Sequence, residues 1–126
     1  SRNKIIEMEM KKTGMLFSFC CVAPAIIKNK KNLELRFFEN VGSDIGLLFQ
    51  ISDDLIDHAG NSNIAGKKTG KDQKKGKATL ISLLGYDNAV KYSEDLIINI
   101  DKKLKKYGSN SKKIKQTLEY ILNRDR

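Results

Sequence analysis

The stretch LELRFFENVGSDIGLLFQISDDLIDH, residues 33–58, decides the fold. On a helix, at about 100° per residue, its apolar side chains cover most of the circumference, so the helix should be buried on several sides. Seven polar side chains and one glycine fall on a single stripe, which we call the polar seam. The polar seam consists of Arg36, Glu39, Ser43, Gly46, Gln50, Asp53, Asp54 and Asp57. Because Ser43 and Gly46 are small, we expect a cavity beside them.

The rest of the chain also predicts helices, since no alternating strand pattern and no internal repeat occurs. Capping residues, glycines and the single proline set the expected boundaries. The predicted helices are residues 3–22, ended by Pro24 and weakened at Thr13-Gly14; 32–58, ended by Gly60; 78–84, ended by Gly85; a helix capped by Asp87 that ends near Tyr107-Gly108; and one capped by Asn110 or Ser111 that ends near Asn123. We therefore predict an all-α fold, an antiparallel helical bundle that forms a single domain over residues 1–126.

Composition narrows the class of partner without choosing one. The 126 residues are 40% hydrophobic, which argues against disorder, and the net charge of +9 favours anionic partners such as nucleic acid, a membrane surface or phosphorylated metabolites. An alternative explanation of that charge is an AT-rich coding sequence, which enriches a protein in Asn, Lys and Ile. The apolar run at residues 15–23 is too short to span a bilayer. It resembles a secretory signal, but Glu7 and Glu9 precede it, so no membrane insertion is expected.

Two cysteines, Cys20 and Cys21, are adjacent and have neither CxxC spacing nor paired histidines nearby. This spacing indicates neither a zinc site nor a disulfide framework. We expect buried thiols in a reducing cytoplasm.

Three aspartates of the polar seam, Asp53, Asp54 and Asp57, lie within about two helical turns and repel one another. A hard divalent cation offsets that repulsion, and Mg2+ prefers one or two carboxylates completed by water and phosphate oxygens. The alternative is that these aspartates are simply solvated.

The following segment, GKKTGKDQKKGK at residues 66–77, supplies the opposite charge. Its glycines allow a ligand to approach the backbone, and its lysines are mobile point charges that suit phosphate. Taken alone, it is better interpreted as a solvated basic loop that contacts nucleic acid without specificity.

Together these motifs form a recognisable series. FQISDDLID followed by GK, GKD and GKAT resembles the second aspartate-rich motif and the adjoining loop of the trans-prenyltransferases, the farnesyl and geranylgeranyl diphosphate synthase family. Lys12-Thr13 resembles the Lys-Thr pair of that family. The resemblance runs from about residue 5 to residue 106, and its specificity comes from several motifs in the same order.

The resemblance implies the isoprenoid synthase fold and a Mg2+-dependent condensation of isopentenyl diphosphate with an allylic diphosphate. It implies that Asp53, Asp54 and Asp57 hold Mg2+, and that Lys12, Lys67 and, less firmly, Lys77 neutralise diphosphate. Thr13 and Gln50 would supply polar contacts near the carbocation and near the site of proton loss. Asp72 would orient a lysine. Considered without the family, Lys12 could be a solvated lysine and Thr13 could bond to its own helix. His58 is expected to face solvent without a catalytic part.

One expectation concerns what this sequence lacks. In the family, the first aspartate-rich motif precedes the Lys-Thr pair, and this sequence begins just before that pair. We expect a C-terminal part of a short-chain synthase, inactive alone, with Leu33, Phe37 and Leu48 left for further helices to cover. A cytoplasmic homodimer is expected for the full-length enzyme, and no nucleic-acid partner. The alternatives are a noncatalytic synthase subunit and a small basic helical protein that binds nucleic acid.

Overall fold

The computed structural model describes residues 1–65 and 79–124, except for the side chains of Glu9, Lys12 and residues 61–65. Within these ranges the chain forms helices and no strand, which confirms the all-α prediction. The helices are α1 (Arg2–Glu9), a π-helical turn (Met10–Gly14), α2 (Met15–Ile27), α3 (Asn32–Ala65), α4 (Leu80–Leu84), α5 (Tyr86–Leu104), a 3-10 segment (Lys105–Ser111) and α6 (Lys112–Asn123).

Helix α3 is the centre of the bundle, as its nearly continuous apolar surface predicts. Leu48, Ile51 and Leu55 are completely buried, and α2, α5 and α6 all pack against this helix. The expectation that Leu48 is left for further helices to cover is therefore wrong, because this chain already buries it. Phe37 lies against the Tyr107 ring at 6.0 Å, whereas Leu33 is 82% exposed.

Two neighbours of α3, the helices α2 and α5, run antiparallel to it. Beside α2, residue numbers rise on one helix as they fall on the other, since Thr13 meets Gln50 and the Ser18 hydroxyl donates to the Glu39 carbonyl. The same relation holds beside α5, where the Lys103 ammonium pairs with Asp44 at 2.6 Å at one end. At the other end of that contact, the His58 and Tyr86 rings lie 5.6 Å apart.

The last connection reverses the chain again. Gly108 has φ +58° within the 3-10 segment, a backbone conformation that suits glycine. Helix α6 then returns along α5, and Lys115 reaches Asp101 at 3.3 Å. These contacts confirm the antiparallel bundle.

Two predicted helix ends are wrong. Pro24 does not end the first helical region, because α2 continues to Ile27 and the Lys28 amide donates to the Pro24 carbonyl at 3.0 Å. Packing against α3 offsets the backbone hydrogen bond that proline cannot donate. Helix α2 ends at Ile27, and the chain turns at Asn29, which has φ +51°. Gly60 does not end α3, which continues to Ala65, since glycine weakens a helix by only about 1 kcal/mol.

The starts of α4 and α5 also differ from prediction. Thr79 caps α4 through a capping box with Ser82, and Ala78 lies outside the described residues. Asp87 lies in the first turn of α5 instead of capping it, and Gly85, with φ +83°, precedes that turn. Ser111 precedes α6, but its hydroxyl donates to the Gly108 carbonyl and makes no capping bond.

The cavity expected at Gly46 is absent because backbone fills the space. A Cβ atom at Gly46 would lie 2.5 Å from the Cα of Gly14, and a Cβ at Gly42 would lie 2.6 Å from the Cα of Ser18. The small residues therefore let α3 approach the π-helical turn and α2 directly. The predicted weak point at Thr13-Gly14 is this π-helical turn.

Helix α2 has an outward apolar face, which we call the α2 face. It consists of Met15, Leu16, Phe19, Ile26 and Ile27, whose exposure ranges from 53% to 77%. Cys20 is also exposed and Cys21 is half-buried, so the prediction of buried thiols fails for Cys20. Across the described ranges, no helix has the length and apolarity needed to cross a membrane.

Candidate active-site seam

Thr13 and Gln50 meet at the middle of the polar seam. The Thr13 hydroxyl donates to the Gln50 side-chain carbonyl at 2.9 Å, and only 9% of Gln50 is exposed. The π-helical turn places Thr13 there, because it brings the adjacent Gly14 into backbone contact with Gly46, one turn before Gln50. Lys12 shares this turn, while its side chain lies outside the described part of the molecule. Two motifs that the sequence predicted to share a site are thus joined through one hydrogen bond.

The carboxylates follow Gln50 along α3 toward solvent. Asp53 begins the next turn with 42% of its side chain exposed, Asp54 is half-buried, and Asp57 is exposed. This gradient arises because the seam leaves the core as α3 extends past α6. The aspartates therefore stand at the rim of the bundle, where both water and a charged ligand can reach them.

The Asp53 carboxylate is paired with Arg124. Its Nη2 donates to Asp53 Oδ1 in an ion pair, and its guanidinium carbon lies 4.4 Å from the centre of the Phe49 ring. Phe49 and Asp53 are four residues apart and lie on the same face of α3, so the Arg124 side chain contacts both. Ser52 holds the end of α6 in place, since its buried hydroxyl donates to the Ile121 carbonyl at 2.5 Å.

The aspartates have the right chemistry for a divalent cation, but they do not form a closed set of ligands. Carboxylate oxygens at a partly exposed rim suit Mg2+, which keeps several water ligands and binds few side chains. Among residues 1–65 and 79–124, no three His, Cys, Asp or Glu side chains converge into a cage for a metal ion. The donor set therefore suits an open site that shares its cation with a phosphate ligand.

The remaining predicted residues are only partly placed. Lys67, Lys77 and Asp72 lie outside the described residues. His58 is exposed, as expected, and packs beside Tyr86. The structure therefore joins Thr13 to Gln50, about one turn before Asp53 on α3, and leaves the lysine contacts as predictions.

The chain is similar to proteins of one known family. The model of the polyprenyl synthetase family matches residues 1–121. The chain belongs to this family. The polyprenyl synthetase match covers the polar seam of α3 and the part of α6 up to Ile121, and it stops before Arg124.

Curated relatives from bacteria agree. A farnesyl diphosphate synthase of Micrococcus luteus is 29% identical over 98% of this chain and 43% of its own length. A farnesyl diphosphate synthase of Escherichia coli (strain K12) is 32% identical over 91% of this chain and 40% of its own length. A dimethylallyltranstransferase of Fischerella ambigua is 32% identical over 90% of this chain and 33% of its own length. This polyprenyl synthetase family chain thus spans less than half the length of these relatives.

Arg124 is the residue that sequence reasoning missed. It follows the last predicted helix, and a basic residue after a helix end carries no signal of its target. The pair with Asp53 joins positions 71 residues apart, and the packing of α6 against α3 creates it.

Proposed function

We propose that this chain supplies the half of a prenyltransferase active site that carries the second aspartate-rich motif. The complete enzyme would condense isopentenyl diphosphate with an allylic diphosphate in a Mg2+-dependent reaction. The observation that supports the proposal is the 2.9 Å hydrogen bond between Thr13 and Gln50, because it joins the threonine of the Lys-Thr pair to the glutamine of FQISDDLID, about one turn before Asp53. The relatives named as farnesyl diphosphate synthases support the same reaction.

The proposed roles follow the chemistry of each side chain. Asp53, Asp54 and Asp57 would hold Mg2+, which when bound supplies charge stabilisation to the departing diphosphate. Lys12, Lys67 and Lys77 would neutralise the diphosphate oxygens, since cations fixed where negative charge develops lower the barrier without reorganising. Gln50, with its amide oxygen engaged by Thr13, would present its amide group at a defined orientation toward the reacting carbons.

The α2 face supports the proposal that the complete site needs more helices than this chain has. Five large apolar side chains along one helix are too many to leave in water without a partner surface. The relatives are more than twice as long as the matched segment, so their additional chain is the proposed cover of this face. A homodimer of the complete enzyme, like a cytoplasmic location, stays a prediction.

Binding is the right test, because the condensation depends on parts of the site beyond the seam. Isothermal titration with inorganic pyrophosphate, and then with an allylic diphosphate, is to be run with and without MgCl2. We expect binding that requires Mg2+ and that Asp53→Asn abolishes. Removal of one negative charge would by itself strengthen the binding of an anion, so a loss identifies Asp53 as a metal ligand.

The matched control is Asp95→Asn, which makes the same charge change at an exposed position of α5. It should leave the titration unchanged. Pyrophosphate binding without Mg2+ that is indifferent to Asp53 would contradict the proposal. Salt-sensitive binding of single- or double-stranded nucleic acid, equally indifferent to Asp53, would support the nucleic-acid alternative instead.

A further inference from the structure

The ion pair between Arg124 and Asp53 places a cation of this chain on a carboxylate that the proposed function assigns to a metal. We propose that Arg124 and a divalent cation compete for Asp53, so that the guanidinium is exchanged for the metal when the site is loaded. This inference rests on the proposed metal site, and it adds a residue that the site would otherwise lack.

Competition follows from the shared acceptor. Arg124 Nη2 donates to the Oδ1 oxygen of Asp53, and a metal bound there would use lone pairs of the same carboxylate. A guanidinium and a divalent cation bound to the same carboxylate would also repel each other. The two cations therefore cannot hold Asp53 Oδ1 together at full strength.

The contacts of Arg124 suit a side chain that can leave. Its Nε is buried and has no hydrogen-bond partner among the described residues, so the paired position leaves one donor unsatisfied. The Phe49 ring, 4.4 Å from the guanidinium carbon, offers a cation–π contact that does not depend on Asp53. Arg124 can thus release the carboxylate while it keeps the aromatic contact.

The backbone beside Arg124 allows this exchange without disturbing the bundle. Arg124 follows the last residue of α6 and has extended backbone angles, with φ −67° and ψ 132°. The helix before it is held independently by Ser52 and by the buried side chains of Leu118 and Leu122. A change of side-chain rotamer is therefore sufficient, and α6 can stay in place.

The expected effect is set by the strength of a partly exposed ion pair. Removing Arg124 should tighten the binding of a divalent cation about three- to tenfold. By linkage, a bound cation should weaken the Arg124 contact by the same factor.

The test titrates the chain with Mn2+, followed by electron paramagnetic resonance, and with Mg2+, followed by calorimetry. The variants are Arg124→Met, which keeps the length of the side chain, Asp53→Asn, and the two combined. Arg36→Met is the matched control, because it removes the same charge from an exposed position of α3 about 25 Å along the helix axis. At that distance its field at Asp53 is screened at physiological salt.

We expect tighter binding in Arg124→Met, wild-type affinity in Arg36→Met, and loss of the site in Asp53→Asn with or without Arg124. Equal affinities in wild type and Arg124→Met would overturn the exchange and leave the metal site standing. Absence of any cation binding in both proteins would overturn the exchange and the metal site together. The pyrophosphate titration tests the proposed function by a separate readout.

A second measurement avoids replacing Arg124 in the reporter protein. The Nε–H resonance of Arg124, assigned by its disappearance in Arg124→Lys, should shift when Mg2+ is added to the wild-type chain. In Asp53→Asn it should already lie at the metal-loaded position and should not respond. A resonance that Mg2+ leaves unmoved in the wild-type chain would overturn the exchange.

Discussion

Thr13 and Gln50, 37 residues apart in the chain, are joined by a 2.9 Å hydrogen bond from the threonine hydroxyl to the glutamine carbonyl. The bond ties the π-helical turn to the centre of α3. It orients the one amide of the polar seam that is buried, directly before the carboxylates. The consequences of this contact and of its neighbours can be measured.

Replacement of Thr13 by valine should destabilise the fold. Valine keeps the shape of threonine but removes the donor, so the partly buried Gln50 carbonyl loses its partner at a cost of about 1–2 kcal/mol. Urea unfolding followed by circular dichroism at 222 nm measures this change. Thr13→Ser keeps the hydroxyl and should recover most of the loss. A valine variant as stable as the wild-type chain would show that the hydrogen bond contributes nothing.

Gly46→Ala should destabilise the chain by roughly 1–3 kcal/mol, as overpacking does. The new Cβ would lie 2.5 Å from the Cα of Gly14, so the π-helical turn must move away from α3. Gly60→Ala is the matched control on the same helix, because none of the atoms that the structure describes lies within 4 Å of its new Cβ. It should stabilise the chain by about 1 kcal/mol through helix propensity. Thermal unfolding of the two variants should therefore shift in opposite directions, and a shift in the same direction would contradict the close backbone approach.

Ser52→Ala should lower the free energy of unfolding by about 1–3 kcal/mol. Ser52 is completely buried, and its hydroxyl donates to the Ile121 carbonyl at 2.5 Å, so the variant leaves that carbonyl without this partner. Hydrogen exchange should show faster opening of the last turn of α6. Ser109→Ala, at an exposed position, should change neither measurement. Equal stability of the two variants would show that the Ser52 contact contributes nothing.

The two cysteines should differ in their reaction with iodoacetamide. Burial, and to a smaller degree the neighbouring Cys20, raise the pKa of the Cys21 thiol. A raised pKa means less thiolate at any pH below it, and the thiolate is the reactive form. At pH 8, mass spectrometry should therefore find Cys20 alkylated first, and the rate at Cys21 should keep rising as the pH is increased. Cys20→Ser isolates the slower thiol, and faster reaction at Cys21 than at Cys20 would contradict the burial seen here.

Local sequence patterns were sufficient to predict the main elements. The apolar circumference of residues 33–58 requires a buried helix wherever that segment is placed, and α3 is that helix. Glycine next to Leu84 and within residues 105–111 marks the reversals of the chain correctly. Boundaries failed at Pro24 and Gly60 because tertiary packing can offset the modest local costs that these residues impose.

In the candidate site, too, some features follow from local sequence and others from tertiary structure. Residue types and spacing alone determined that Gln50, Asp53, Asp54 and Asp57 share one stripe, because helical periodicity is a local property. Tertiary structure alone decided that Gly14 fills the space beside Gly46, that α2 keeps an apolar face toward solvent, and that Arg124 reaches Asp53. Those contacts join residues far apart in the chain, and they depend on how close the helices pack and where each helix ends, which no local pattern encodes.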